Sequence, residues 1–154
     1  MLFVFTGPSG SGKTTLVHQV RQSIRVSVHP ARSCTTRTQC EGEINGVNYD
    51  FISEQKFVRM IADKQFLEHA VVDGKYYGTP KSEVEGHDHV FLEIDVQGSQ
   101  QIKEKRRDSY RIFILPPSRE EAERRLRLRG RDNEETIQRR LRVATQEVAH
   151  ADKF

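Results

Sequence analysis

Lys13 and Thr14 close the stretch Gly7-Pro8-Ser9-Gly10-Ser11-Gly12-Lys13-Thr14, a full match to the phosphate-loop pattern G-x-x-x-x-G-K-[ST]. Gly7, Gly10 and Gly12 permit positive φ and close approach, so backbone N–H groups there can wrap a polyphosphate. Lys13 supplies a point charge to the β- and γ-phosphates, the Thr14 hydroxyl suits Mg²⁺, and Thr15 continues the same turn. A Gly/Ser turn could match this spelling by chance, but its flanks argue otherwise. Met-Leu-Phe-Val-Phe over 1–5 reads as a buried strand, and Leu16, Val17, Val20 and Ile24 form a helical stripe. Strand, glycine loop and helix is the order the chemistry requires, and it predicts binding of ATP or GTP with Mg²⁺.

A second set of anion-binding groups follows. Ser33, Thr35, Thr36 and Arg37 bring hydroxyls and a guanidinium into a segment, 31–43, that has lost hydrophobic periodicity. Farther on, Val90 to Val96 reads as an apolar strand carrying Glu93 and Asp95 near its C-terminal end, where open parallel sheets hold their ligands. A carboxylate there supports Mg²⁺ on Thr14, directly or through water. Between 124 and 142 lie eight arginines, at 124, 125, 127, 129, 131, 139, 140 and 142. The bias to Arg over Lys points to forked hydrogen bonding of phosphate, with pairing to Glu120, Glu121, Glu134 and Glu135 as the ordinary alternative for about half of them.

The elements that must position these groups are read from periodicity and turn chemistry. Arg25 to Pro30 alternates as a strand; Asn45-Gly46 is a hairpin signal; Ser53 caps a short helix with Phe57, Met60 and Ile61 on one face. Phe66 to Val72 is a strand, Asp73-Gly74 a tight turn and Tyr76 to Thr79 the return, so 33–82 forms a β-rich insertion. Residues 98–105 form a helix and 110–115 a buried strand. Ser118-Arg119-Glu120-Glu121 is a capping box for a helix ended by Gly130, and Asn133 opens a last helix with Ile137, Leu141, Ala144 and Val148 on its inner face.

The 154 residues are 35% hydrophobic and 31% charged, with no apolar run near the ~20 residues of a membrane helix. The apolar start runs straight into the phosphate loop and lacks the pattern of a signal peptide, so a cytoplasmic protein is expected. Cys34 and Cys40 match no zinc spacing and read as reduced thiols, and His87-Asp88-His89 reads as a solvated loop. A net charge of +3 invites a nucleic-acid reading. The basic stretch from Arg124 to Arg142 contains no Phe, Tyr or Trp, however, and base stacking would need them.

Phosphoryl transfer between two phosphorylated molecules fits these parts, since it needs positioning and charge neutralisation rather than an activated nucleophile. The sequence resembles the guanylate kinases over essentially its whole length. The resemblance is carried by Gly7–Thr14, Ser33-x-Thr-Thr-Arg37, Gly42-Glu-Ile-Asn-Gly-Val-Asn-Tyr49, Phe66-Leu67-Glu68, Tyr76-Tyr77-Gly78-Thr79, Leu92-Glu-Ile-Asp-Val-Gln-Gly98, Ile114-Leu-Pro-Pro-Ser118 and Arg125-Leu-Arg-Leu-Arg-Gly130. It implies an α/β fold: a three-layer core with a parallel sheet (1–32 and 83–118), a β-rich GMP-binding lobe (33–82), an Arg-rich helical lid (about 119–140) and a last helix (133–150). The implied reaction is ATP + GMP giving ADP + GDP, with Mg²⁺ and no nucleic-acid or membrane partner; the oligomeric state stays open.

By the same resemblance Gly7 to Thr15 bind ATP. Ser33, Arg37, Tyr49 and Tyr77 hold the GMP phosphate, and Glu68, Thr79 and Asp95 face guanine. Lys13, Arg37, Arg125, Arg129 and Arg140 act on the transferred phosphoryl. A carboxylate at 68 makes chemical sense, because guanine presents an N1–H and an exocyclic amine that adenine does not. The alternative is a guanylate-kinase-like protein-interaction module. Two departures bear on the choice. Where the family usually has Thr-Arg-x-Pro-Arg, this chain has Thr36-Arg37-Thr38-Gln39-Cys40. Loss of that guanidinium costs about 1.5–3 kcal/mol, or ten- to a hundredfold in GMP affinity, unless an arginine such as Arg32 substitutes. The family also continues past the position of Phe154 into a further strand and helix, so an open sheet edge is expected here.

Overall fold

The computed structural model describes the backbone of residues 1–154 and every side chain except that of Lys153. The main sheet is fully parallel, in the order β2-β7-β1-β8, from β1 (Leu2–Thr6), β2 (His29–Pro30), β7 (Val90–Glu93) and β8 (Ser109–Phe113). Period-two alternation sends Leu2, Val4, Val90 and Leu92 to one face, where they meet Ile102 of α3 (Val96–Lys105). Phe3, Phe5 and Phe91 go to the other face, against Val17 and Val20 of α1 (Lys13–Ser23). Helices on both faces produce the three layers. Phe5 of β1 lies opposite Glu93 of β7, so the phosphate loop and the carboxylate segment leave the sheet side by side at its C-terminal edge.

A second sheet, ordered β4-β3-β6-β5, is built from β3 (Cys34–Thr35), β4 (Asp50–Phe51), β5 (Phe66–Val72) and β6 (Lys75–Pro80). α2 (Glu54–Ala62), capped by the Ser53 hydroxyl accepting from Lys56 N, seals it with Phe57 packed on Phe66 and Tyr76. Leu67 of β5 reaches into the main core and ties the two sheets together. α4 (Arg119–Leu128) and α5 (Glu134–Val148) pack through Ala122, Leu126, Ile137 and Leu141.

Several sequence expectations shift. The strand expected over 25–30 forms only at 29–30, where β2 finds β7 as its neighbour. The strand expected to run to Val96 ends at Glu93, because Asp95 turns to cap α3 by accepting from Gly98 N at 2.7 Å. Asn45-Gly46 makes no hairpin: the Asn45 and Asn48 side chains accept from Phe51 N and Ile44 N, both at 2.8 Å, and with backbone bonds from Asn48 N to Ile44 O and from Gly46 N to Tyr49 O they close the segment as a compact turn without paired flanking strands. Half of the capping box forms. Ser118 accepts from Glu121 N at 3.1 Å, while the Glu121 carboxylate turns to Arg124 and Arg125. Leu16, Ile24 and Val148, read as inward-facing, are exposed. β8 is a sheet edge with Tyr110 and Ile112 exposed.

Candidate active site

Gly7 and Gly10, at φ +144° and +82°, are fixed by their surroundings as much as by any ligand. A Cβ on Gly7 would fall 2.2 Å from Ile114 O, and one on Gly10 2.7 Å from Ala122 O, so Ile114, which follows β8, and α4 both press on the loop. α1 then begins at Lys13 with no side-chain cap on its first turn, which leaves those N–H groups for an anion. Lys13 Nζ donates to Gly7 O and, at 3.3 Å, to Pro8 O, and so rests inside the loop. Burial lowers the pKa of its amine against the pull of Glu147, Glu93 and Asp95.

One pocket is lined by Lys13 and Thr14 of the phosphate loop, by Ser33, Tyr49, Glu68 and Tyr77, by Glu93 and Asp95, and by Arg140, Val143 and Glu147 of α5. Thr14 Oγ1 donates to Glu93 Oε2 at 2.9 Å, so of the two carboxylates expected near Mg²⁺ it is Glu93 that reaches Thr14. Hydroxyl and carboxylate oxygens are the hard donors this ion takes, and the residues present fit it. Glu68 is 3% exposed; its Oε1 accepts from Thr79 N at 2.9 Å and Thr79 Oγ1 at 2.7 Å. Ser33 Oγ shares a 3.0 Å bond with Thr79 Oγ1. Because the Thr79 proton goes to Glu68, Ser33 is the donor there. Burial pushes the Glu68 pKa up to about 7, against the hydrogen bonds from Thr79.

Arg37 does not itself line the pocket but reaches it through Tyr77, which does. Its Nε donates to the Tyr77 hydroxyl at 3.1 Å, and its two Nη atoms grip Glu43 at 3.0 and 2.9 Å. The substitute expected for the guanidinium absent at 40 is not Arg32, which is held by Asp50 (3.0 Å), Glu83 (3.3 Å) and Gly46 O (2.7 Å). Nor does the structure bring all three lid arginines to the pocket. Arg125 donates to Ser11 O at 3.0 Å and Gly10 O at 3.3 Å, bracing the loop from its α4 side, and Arg129 lines the groove there with Thr15 and Leu16. Arg140 does line the pocket, and with Arg139 it pairs across the mouth to Asp73, at 3.2 and 3.0 Å.

Four contributors carried no expectation: Asp73, Glu43, Gly98 and Glu147. Arg140, Val143 and Glu147 recur at spacings of three and four on one face of α5, and that spacing is the signal that could have found Glu147. Burial raises its pKa against Lys13. Gly98 leaves room for Glu68, whose Oε2 would lie 2.4 Å from a Cβ there.

Asp73→Asn should release the α4–α5 pair. Residue 73 holds φ +51°, which asparagine tolerates, so the turn survives while both ion pairs go. Two exposed pairs are worth about 1 kcal/mol together, so hydrogen exchange over 119–140 should quicken about two- to fivefold with little change in global melting temperature.

The family model for guanylate kinase matches residues 1–154. The guanylate kinase of Trichormus variabilis is 45% identical over 99% of this chain and 78% of its own length. That of Carboxydothermus hydrogenoformans is 46% identical over 100% and 77%. The crystal structure of guanylate kinase from Anaplasma phagocytophilum superposes with a TM-score of 0.74 at 30% identity, covering 100% of this chain and 73% of that one. With a phosphate loop, the buried Glu68 carboxylate and Arg140 already in one pocket, these matches leave a single assignment: the chain belongs to the guanylate kinase family.

Proposed function

We infer that the chain transfers the γ-phosphoryl of ATP to GMP, giving ADP and GDP. The observation that carries this reading is the shared pocket: Lys13 and Thr14 of the phosphate loop line the same cavity as Ser33, Tyr49, Glu68 and Tyr77. The loop from Gly7 to Thr15 holds the triphosphate, with Lys13 on its terminal phosphates. Ser33, Arg37, Tyr49 and Tyr77 hold the acceptor phosphate. Glu68, seated by Thr79 and with Asp95 nearby, accepts from the guanine N1–H and amine. A GMP phosphate is already ionised near neutral pH and needs no strong base, which suits a pocket whose residues position and neutralise.

Thr14 and Glu93 would hold Mg²⁺, with Asp95 acting through water. When bound, the ion supplies charge neutralisation on the phosphate oxygens. Arg140 faces the transferred group, while Arg125 and Arg129 act from the α4 side of the loop. In this assignment 1–32 and 83–118 are the core, 33–82 the GMP-binding lobe and 119–140 the lid. No helix among the described residues is long and apolar enough to cross a membrane. A cytoplasmic location gives access to both nucleotides.

The test measures ADP formation from ATP and Mg²⁺ with GMP, AMP, CMP or UMP as acceptor. Turnover with GMP at least about a hundredfold above AMP is expected. Equal turnover with all four, or none from a folded chain, would sink the reading.

A further inference from the structure

Arg37 is the guanidinium set at the acceptor phosphate, yet Glu43 cancels it. Both Nη atoms of Arg37 lie on the Glu43 carboxylate at 3.0 and 2.9 Å, and the same carboxylate accepts from Cys40 N at 2.9 Å. Cys40 Sγ, a neutral thiol, sits 2.9 Å from Arg37 Nη1. This corner of the pocket therefore has no net positive charge of its own, although it must take a phosphate that is close to a dianion. A further cation is needed, and one stands at its edge. Arg131 Nη1 is 3.5 Å from Glu43 Oε1, reaching over from the turn that joins α4 to α5. Its side chain is 46% exposed and meets this carboxylate at the long end of ion-pair distance, so little holds it back from a phosphate. Five other arginines of the region are committed: Arg124 to Glu121, Arg125 to the phosphate loop, Arg127 to Glu123 and Glu134, Arg139 and Arg140 to Asp73, while Arg129 lies in the groove on the α4 side of the loop.

We propose that Arg131 is an acceptor-binding residue, moving from Glu43 onto the GMP phosphate as the lid settles and giving that corner the positive charge that Arg37, matched by Glu43, does not supply. The proposal rests on the reading of the chain as a GMP kinase. It couples lid position to acceptor binding, because the phosphate would be gripped by Arg37 from the lobe and by Arg131 from the lid at once. Forked, charge-assisted bonds of this kind hold a planar phosphate edge better than a thiol can.

Steady-state kinetics of Arg131→Ala, Cys40→Arg and the double variant test it, with calorimetric GMP binding alongside. Arg131→Ala should raise the KM for GMP about tenfold or more while the KM for ATP stays within about twofold. An arginine at 40 would extend beside Arg37, so Cys40→Arg should restore GMP affinity in the Arg131→Ala background and add little to the parent, where the place is taken. A KM for GMP unchanged by Arg131→Ala, in an enzyme that phosphorylates GMP, overturns the role of Arg131 alone. Equal rises in both Michaelis constants overturn it too, since they mark a residue that only shapes the lid. If the parent protein neither binds nor phosphorylates GMP, the kinase reading itself falls and takes this role with it.

Discussion

Lys13→Ala should cut GMP-dependent kcat/KM by about a thousandfold or more, the largest loss of any single substitution here. The reason is the company Lys13 keeps. Burial lowers its pKa, and Glu147, Glu93 and Asp95 pull back, so three carboxylates surround one amine in a half-enclosed pocket. A triphosphate entering this pocket meets that negative charge with Lys13, the α1 N-terminus, Arg140 and the Mg²⁺ it carries to offset it. Without the amine, the repulsion falls on ATP in the ground state and more heavily on the charge that spreads during transfer. Both the KM for ATP and kcat should therefore worsen. The fold should hold, because Lys13 bonds only to the loop carbonyls of Gly7 and Pro8, and Pro8 O keeps its bond from Ser11 N at 3.2 Å. A folded Lys13→Ala protein that keeps activity within tenfold of the parent would remove Lys13 from the site.

The part of this site that is local in sequence was readable from sequence. Gly7 to Thr14 carries its own geometry, and the apolar runs on either side announce strand and helix. Ser53, Asn133 and the Asp73-Gly74 turn likewise act over three or four residues and fall where their chemistry puts them. What was not readable depends on packing between distant segments. No spacing reveals that Gly98 must be small because Glu68 lies over it, or that Arg125 leaves the pocket to brace Ser11 O. Arg37 reads as a free guanidinium until Glu43 is seen gripping it. The exposed Leu16 and Ile24 show the limit of periodicity: a helical stripe gives one apolar face, but its width is set by how much of the neighbouring sheet reaches it.

Glu68→Gln should separate what stabilises this protein from what makes it select guanine. In the free protein, burial pushes the Glu68 carboxyl up to about 7, against the bonds from Thr79 N and Oγ1. The folded pKa is raised above the unfolded one, so the stability this group contributes is full below about 4.5 and is lost as pH rises through about 7. At pH 8 the ionised, buried carboxylate costs about 3 kcal/mol relative to a neutral group. Glutamine keeps an oxygen for both Thr79 donors and never ionises. The variant should therefore melt higher than the parent at pH 8, with the advantage fading toward pH 5. Catalysis should move the opposite way. Guanine offers two donors, and the glutamine amide meets them with a donor of its own, so kcat/KM for GMP should drop at least about a hundredfold and most of the preference over AMP should go. The parent's KM for GMP should fall as pH rises through about 7, because only the ionised carboxylate accepts both donors. The acceptor phosphate titrates as well, near pH 6, but it does so equally in the glutamine variant, and the difference between the two profiles isolates Glu68. A variant with unchanged GMP preference and an unchanged pH profile would place guanine somewhere other than against Glu68.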